Sequence, residues 1–250
     1  MIVYVFVLGL LMGSFFNVCI YRIPQGKSVI SPPSACGHCH TRLGPVDLIP
    51  LISYIVNRGK CRHCKTKYSS RYAWVELLTG VMYAVTFYHF AYSIETIVGI
   101  ILTSILIIVT FIDIDHKLIF DRFSLIVIGL SIPYHMLWGQ VSWLNVALGF
   151  LIGGGLLFLL ALLGAMGGGD IKIMASFGFF LGFPWIGMAL YLSFIVGGLV
   201  SLLYLILFKI LKKETSRVIP FGPYLCIGVW LTYYFGDAIY AWYQNMFLLA

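Results

Sequence analysis

Residues 99–117 read Gly99-Ile100-Ile101-Leu102-Thr103-Ser104-Ile105-Leu106-Ile107-Ile108-Val109-Thr110-Phe111-Ile112-Asp113-Ile114-Asp115-His116-Lys117. An uncharged run passes directly into two carboxylates, an imidazole and an amine. A bilayer crossing takes about 20 apolar residues, and lipid supplies no partners for an open backbone, so such a run spans as a helix. The stretch therefore predicts a membrane helix that delivers acids to the interface at its end.

The rest of the chain agrees with that reading. Of 250 residues, 61% are hydrophobic and 10% are charged, against about 45–50% and about 25% in soluble domains. Disorder is excluded, because it needs few apolar residues and many charges. A soluble enzyme and a small disulfide-stapled secreted domain are disfavoured for the same shortage of polar surface. Eight spans are expected, near 2–21, 73–93, 97–113, 122–138, 142–165, 171–183, 185–208 and 219–247. The fold class is all-α and polytopic.

The bases orient these spans. Arg22, Lys27, Arg42, Arg58, Lys60, Arg62, Lys65, Lys67 and Arg71 crowd one loop, with Asp47 its only acid. Lys117 and Arg122 flank a second connection, and Lys209, Lys212, Lys213 and Arg217 a third. The net charge of +7 could suggest nucleic acid or anionic lipid, but lysine and arginine also mark cytoplasmic loops. On that rule the N-terminus lies outside and the connections at 22–72, 113–122, 166–170 and 209–218 are cytoplasmic. No nucleic-acid partner is expected. The first segment has no basic leader and no small-residue cleavage site, so it is expected to be a retained span rather than a secretory signal.

The 22–72 loop holds Cys36-Gly-His-Cys39 and Cys61-Arg-His-Cys64. Two such pairs can aim four thiolates at one zinc ion. Two disulfides are the rival arrangement, opposed by a cytosol that keeps thiols reduced. His38, His40 and His63 could replace a ligand, although solvated loop histidines would look the same. Cys19 and Cys226 fall inside spans and read as small buried residues.

Two acidic sites fall on the cytoplasmic boundary. One is Asp113-Ile114-Asp115, followed by Asp121; the other is Asp170, after Gly167-Gly168-Gly169. Two spans separate Asp113 from Asp170, which returns the chain to the same face. Carboxylates at membrane depth suggest function. Two placed together can share a proton, so that one activates a water and the other polarises a scissile carbonyl. The glycines beside Asp170 would leave room for an extended peptide backbone. Asp121 is expected to cap the helix after it. Gly153-Gly154-Gly155 sits mid-span and reads as helix packing. No HExxH, P-loop or dinucleotide fingerprint is present.

Gly167, Gly169 and Asp170 together resemble the GxGD signature of intramembrane aspartyl proteases, and within these the chain closely resembles the type IV prepilin peptidases. Gly13-Ser14-Phe15-Phe16-Asn17-Val18 with Tyr21-Arg22-Ile23-Pro24 is similar to that family's first span, and Pro33-Ser34 with the four cysteines to its metal loop. Ser70-Arg71-Tyr72 before Glu76, Asp113-Ile114-Asp115 with Asp121, and Pro220-Phe221-Gly222-Pro223 also fit. Phe120 stands where the family usually has proline, which changes a turn but no acid.

The resemblance implies a bacterial inner-membrane enzyme that cuts the leader from prepilin or pseudopilin precursors on the cytoplasmic side. Asp113 and Asp170 would be its catalytic pair, with Gly167 and Gly169 as backbone support. Cys36, Cys39, Cys61 and Cys64 would hold structural zinc. A second activity, N-methylation of the new terminus with S-adenosylmethionine, is associated with the N-terminal cytoplasmic region. The implied organisation is a first transmembrane helix over 1–21, a four-cysteine loop domain over 22–72 and a transmembrane aspartyl peptidase domain over 73–250. A presenilin-like protease with other substrates, and a transporter whose acids bind cations or protons, are the alternative expectations.

Overall fold

The computed structural model describes all residues except 140, 165, 211–219 and 248–250. The described part is helical. In chain order the helices are α1 (Ile2–Arg22), a 3-10 turn (Pro45–Leu48), α2 (Ile52–Val56), α3 (Arg71–Phe90), α4 (Ile94–His116), α5 (Asp121–Leu137), α6 (Trp143–Leu162), α7 (Gly168–Leu181), α8 (Trp185–Ile210) and α9 (Gly222–Phe247). Among the described residues the only extended pairing is two isolated antiparallel bridges, Ala35 with Arg42 and Lys60 with Lys67.

Each of the eight expected segments contains a helix. Four of them, α1, α4, α6 and α8, are long and apolar enough to cross a membrane. The other four helices do not meet this standard of length and composition, which by itself does not confirm eight crossings. α7 is the shortest, with 14 residues, or about 21 Å at 1.5 Å per residue. Much of the apolar surface is unburied: Leu199, Leu202, Leu203 and Leu207 on α8 all face outward. A helix apolar on every side needs lipid or protein around it. Among the expected cytoplasmic bases, Lys212, Lys213 and Arg217 lie outside the described residues.

Several hydroxyls inside the helices are satisfied locally. Thr79, Thr86, Ser131 and Ser193 each donate to the carbonyl four residues back, on Val75, Met82, Val127 and Ala189. This back-bonding lets serine and threonine sit in apolar surroundings without an orphaned hydroxyl.

The chain divides into two compact units, Met1–Ile108 and Val109–Ala250, with the boundary inside α4. In the first, α1 lies along α3. The approach is close at Gly13, where a Cβ would stand 2.7 Å from the Glu76 Cα. Asn17 Nδ2 donates to the Tyr72 carbonyl at 3.0 Å. Between α1 and α3 the chain forms the four-cysteine loop, which Glu76 ties down by accepting the Leu51 N–H at 2.9 Å.

In the second unit α7 is central, in contact with α5, α6, α8 and α9. Its Ile173, Met174, Ser176 and Phe177 are buried. α6 and α7 meet backbone to backbone: a Cβ on Gly149 would strike the Gly178 carbonyl oxygen, and one on Gly178 the Gly149 oxygen. Gly153 and Gly154 face Met174 and Ala175 at the same seam, as packing glycines, whereas Gly155 faces open space.

Candidate active site and metal centre

Asp113 occupies the last turn of α4 and is buried, with 5% of its surface exposed. Its Oδ2 accepts the N–H of Gly222, the first residue of α9, at 3.0 Å. No side chain could stand at 222: a Cβ there would lie 2.6 Å from that same oxygen. The absence of a Cβ is what lets the main chain reach the carboxylate.

Asp170 is the third residue of α7 and is half-buried. Its Oδ2 accepts the Gly167 N–H at 3.2 Å, closing the first turn and placing negative charge at a helix N-terminus, where the dipole favours it. Gly169 packs against the connection between α4 and α5, where a Cβ on it would come within 2.9 Å of the Ile119 Cβ. Asp170 lies near enough to Asp113 for its charge to be felt there. The second unit thus brings together the two acids singled out from sequence.

The remaining acids behave otherwise. Asp115 is exposed. Asp121 makes no cap: it is the first residue of α5, whose N-cap is Phe120 with no side-chain bond. Both its oxygens instead take Lys172 Nζ, at 2.9 and 2.8 Å. An ammonium across the helix pair wins over a cap to its own backbone, and it links the start of α5 to α7 two residues past Asp170.

In the first unit the sulfurs of Cys36, Cys39, Cys61 and Cys64 all lie within 4.8 Å of one another and could hold a metal ion. None is disulfide-bonded. The two halves are built alike. Cys36 N–H bonds the Thr41 carbonyl and His40 N–H the Cys36 carbonyl; Cys61 N–H bonds Thr66 and Lys65 N–H bonds Cys61. His40 and Lys65 take the same left-handed conformation, at φ 55° and 60°. The second sulfur of each pair faces a threonine hydroxyl, Cys39 to Thr41 at 3.3 Å and Cys64 to Thr66 at 3.4 Å. The Thr66 hydroxyl and main chain pull the Cys64 thiol down to about 5, toward the thiolate that binds metal. His38, His40 and His63 are exposed and lie outside the sulfur cluster. Cys19 and Cys226 are buried and free.

Comparison with known proteins gives these two centres a context. The chain is 33% identical to a prepilin leader peptidase/N-methyltransferase of Bacillus subtilis, over 97% of this chain and 98% of that one. It is also 33% identical to proteins of the same name from Aeromonas hydrophila, over 98% and 94%, and Neisseria gonorrhoeae, over 94% and 90%. The chain belongs to the type IV leader peptidase family. The model of that family matches residues 100–202, and a model described as the bacterial peptidase A24 N-terminal domain matches residues 7–90. No solved structure matches. As a type IV leader peptidase family member, the chain carries Asp113 and Asp170 inside the family match and the four cysteines inside the N-terminal one, while Gly222 lies beyond both.

Three groups at these centres escaped sequence reasoning. Gly222 was legible only as part of a Pro-Phe-Gly-Pro resemblance, because its partner is 109 positions away. Lys172 lies two residues past the expected 166–170 connection, and its partner Asp121 is 51 positions away. Thr41 and Thr66 carried a signal that could have been read: each follows the second cysteine of its pair by two residues, as Cys-x-His-Cys-x-Thr in both halves.

Proposed function

We propose that this protein is a membrane aspartyl endopeptidase that removes the leader from type IV prepilins or pseudopilins and methylates the amino terminus it exposes. The proximity of Asp113 and Asp170 supports this most. One carboxylate, ionised, would take a proton from water as the water attacks the scissile carbonyl. The other, protonated, would donate to the carbonyl oxygen as charge develops there. The tetrahedral adduct collapses with the proton returned to the leaving amine, and no covalent enzyme intermediate forms. Gly222 N–H holds the Asp113 carboxylate in place. Gly167 and Gly169 would leave backbone space beside Asp170 for an extended peptide.

The four sulfurs fit a structural zinc ion. Zinc–sulfur bonds of about 2.3 Å in a tetrahedron put the sulfurs about 3.8 Å apart, and Cys36 and Cys64 stand 3.8 Å apart. The metal would staple residues 22–72, a loop too short for a large core, as a cytoplasmic module, with the peptidase chemistry in 73–250. S-adenosylmethionine would supply the methyl group when bound. The charge distribution supports a multi-pass protein of the bacterial inner membrane, N-terminus outside and both centres facing the cytoplasm.

The test is cleavage of a prepilin-like peptide by purified protein. Asp113→Ala and Asp170→Ala should each reduce the rate to background. Normal cleavage by either variant refutes the assignment.

A further inference from the structure

The loop between α1 and α3 is expected to meet water, yet one stretch of it is apolar and turned outward. Residues 45–56 read Pro45-Val46-Asp47-Leu48-Ile49-Pro50-Leu51-Ile52-Ser53-Tyr54-Ile55-Val56. Ile52, Ile55 and Val56 are 58%, 70% and 72% exposed, and Val46, Leu48 and Ile49 are exposed as well. The one charged residue in the stretch, Asp47, is engaged by its own turn: its Oδ2 accepts the Gly44 N–H at 3.0 Å.

The short helix in this stretch is inside out. On α2, Ile52, Ile55 and Val56 stand at i, i+3 and i+4 and share one face. Ser53, Tyr54 and Asn57 line a cavity of about 620 Å³ within the first unit, which Asp47 and Glu76 also border. Polar groups inward and aliphatic groups outward is the reverse of a helix on a water-facing surface. A contiguous apolar patch of this kind marks a contact with protein or with membrane.

The way the stretch is anchored favours membrane. Leu51 takes φ 59°, uncommon for a residue other than glycine, and Glu76 fixes it there by accepting the Leu51 N–H at 2.9 Å. Glu76 in turn stands against Gly13 of α1, where a Cβ would lie 2.7 Å from the Glu76 Cα. Gly13 precedes Arg22, the end of α1, by nine residues, or about 14 Å at 1.5 Å per residue. A glutamate side chain is far shorter than that. Leu51 is therefore held beside α1, a helix long and apolar enough to cross a membrane, and not beyond its end. Exposed Arg42 and Arg58 flank the patch, and exposed Lys60, Arg62, Lys65 and Lys67 follow. An apolar face rimmed by bases suits a segment that lies in the surface of an anionic bilayer.

Resting on the reading of α1 as a membrane span, we propose that the 45–56 turn is embedded in the headgroup and upper acyl region of an anionic bilayer. Ile52, Ile55 and Val56 lie among the acyl chains, and the flanking bases meet the phosphates. The four-cysteine loop is then seated on the membrane and not merely tethered to it at its two ends.

The test is photolabelling of purified full-length protein in nanodiscs of phosphatidylglycerol and phosphatidylethanolamine, doped with a phospholipid that carries a diazirine on an acyl chain. Mass spectrometry locates the adducts. They are expected on Ile52, Ile55 or Val56, and on the outward-facing Val3, Val7 and Leu11 of α1. Adducts on α1 with none between 45 and 57 overturn the proposal. Absence of adducts from α1 as well removes the span reading itself, and the proposal with it. In nanodiscs of phosphatidylcholine alone, labelling of 45–57 should fall severalfold while that of α1 is unchanged. Labelling that ignores headgroup charge overturns the role given to the bases. Saturation with a prepilin-like peptide should leave the adducts in place; their loss would assign the patch to substrate and overturn the proposal.

Discussion

The Gly222 main-chain N–H donates to Asp113 Oδ2 across 109 positions of sequence, at 3.0 Å. A helix start from the far end of the chain thereby orients a carboxylate at the end of α4. The contact depends on glycine, because a Cβ at 222 would press within 2.6 Å of the same oxygen.

Gly222→Ala should therefore act on catalysis more than on folding. The methyl group pushes the Asp113 carboxylate aside, and displacement of a reacting group by about 1 Å costs about a hundredfold in rate. Peptide cleavage should fall by about that factor, with metal content unchanged. Wild-type kcat in this variant would show that the contact is incidental.

Removing the metal should loosen the first unit. Chelation, or replacement of the four cysteines by serine, should abolish metal binding at one ion per chain and open the 22–72 loop to limited proteolysis. Elemental analysis and protease mapping read the two effects separately. Full metal retention by the four-serine variant contradicts the assigned ligands. Thr66→Val tests the sulfur environment more finely: it removes the hydroxyl 3.4 Å from Cys64 Sγ and should weaken metal affinity in chelator competition without abolishing it.

The Lys172–Asp121 pair should contribute little to stability. Its side chains are 58% and 64% exposed, and exposed pairs are worth about 0.2–1 kcal/mol. A double-mutant cycle with Lys172→Ala and Asp121→Ala, read by denaturant unfolding, should give coupling within that range. Exchange of the two charges should restore it. Coupling of several kcal/mol would mean that the pair is shielded from solvent.

The seam between α6 and α7 should tolerate no side chain. Gly149→Val and Gly178→Val each drive a side chain into the opposing carbonyl oxygen. Overpacking of this kind costs about 1–3 kcal/mol, and both variants should lower the melting temperature. Gly155→Ala, with open space beside it, should leave it unchanged. A seam that accepts valine with no loss of melting temperature argues against this close approach.

Much of the architecture was legible because it rests on local properties. Apolar runs place each of the helices α1 and α3–α9 to within a few residues: 97–113 was expected where α4 covers Ile94–His116, and 185–208 where α8 covers Trp185–Ile210. Spacing alone pairs the four cysteines, since each Cys-x-x-Cys turn is closed by its own backbone bonds. Asp113 and Asp170 were found by an argument about counting crossings, which needs no tertiary contact. Asp121 was misread for the opposite reason. A cap is the nearest partner along the chain, and its actual partner, Lys172, is 51 positions away.

Composition and periodicity by themselves pointed to an all-helical chain of long apolar runs with a four-cysteine loop and two acids at helix ends. They could do so because the cost of exposing backbone or charge to lipid is paid residue by residue. Only the tertiary structure decided that Gly222 holds Asp113, that Gly149 and Gly178 let α6 and α7 touch, and that Asp47 and Glu76 border one cavity. Those outcomes depend on which helix faces pack together, and packing couples residues that hydropathy and spacing treat as independent.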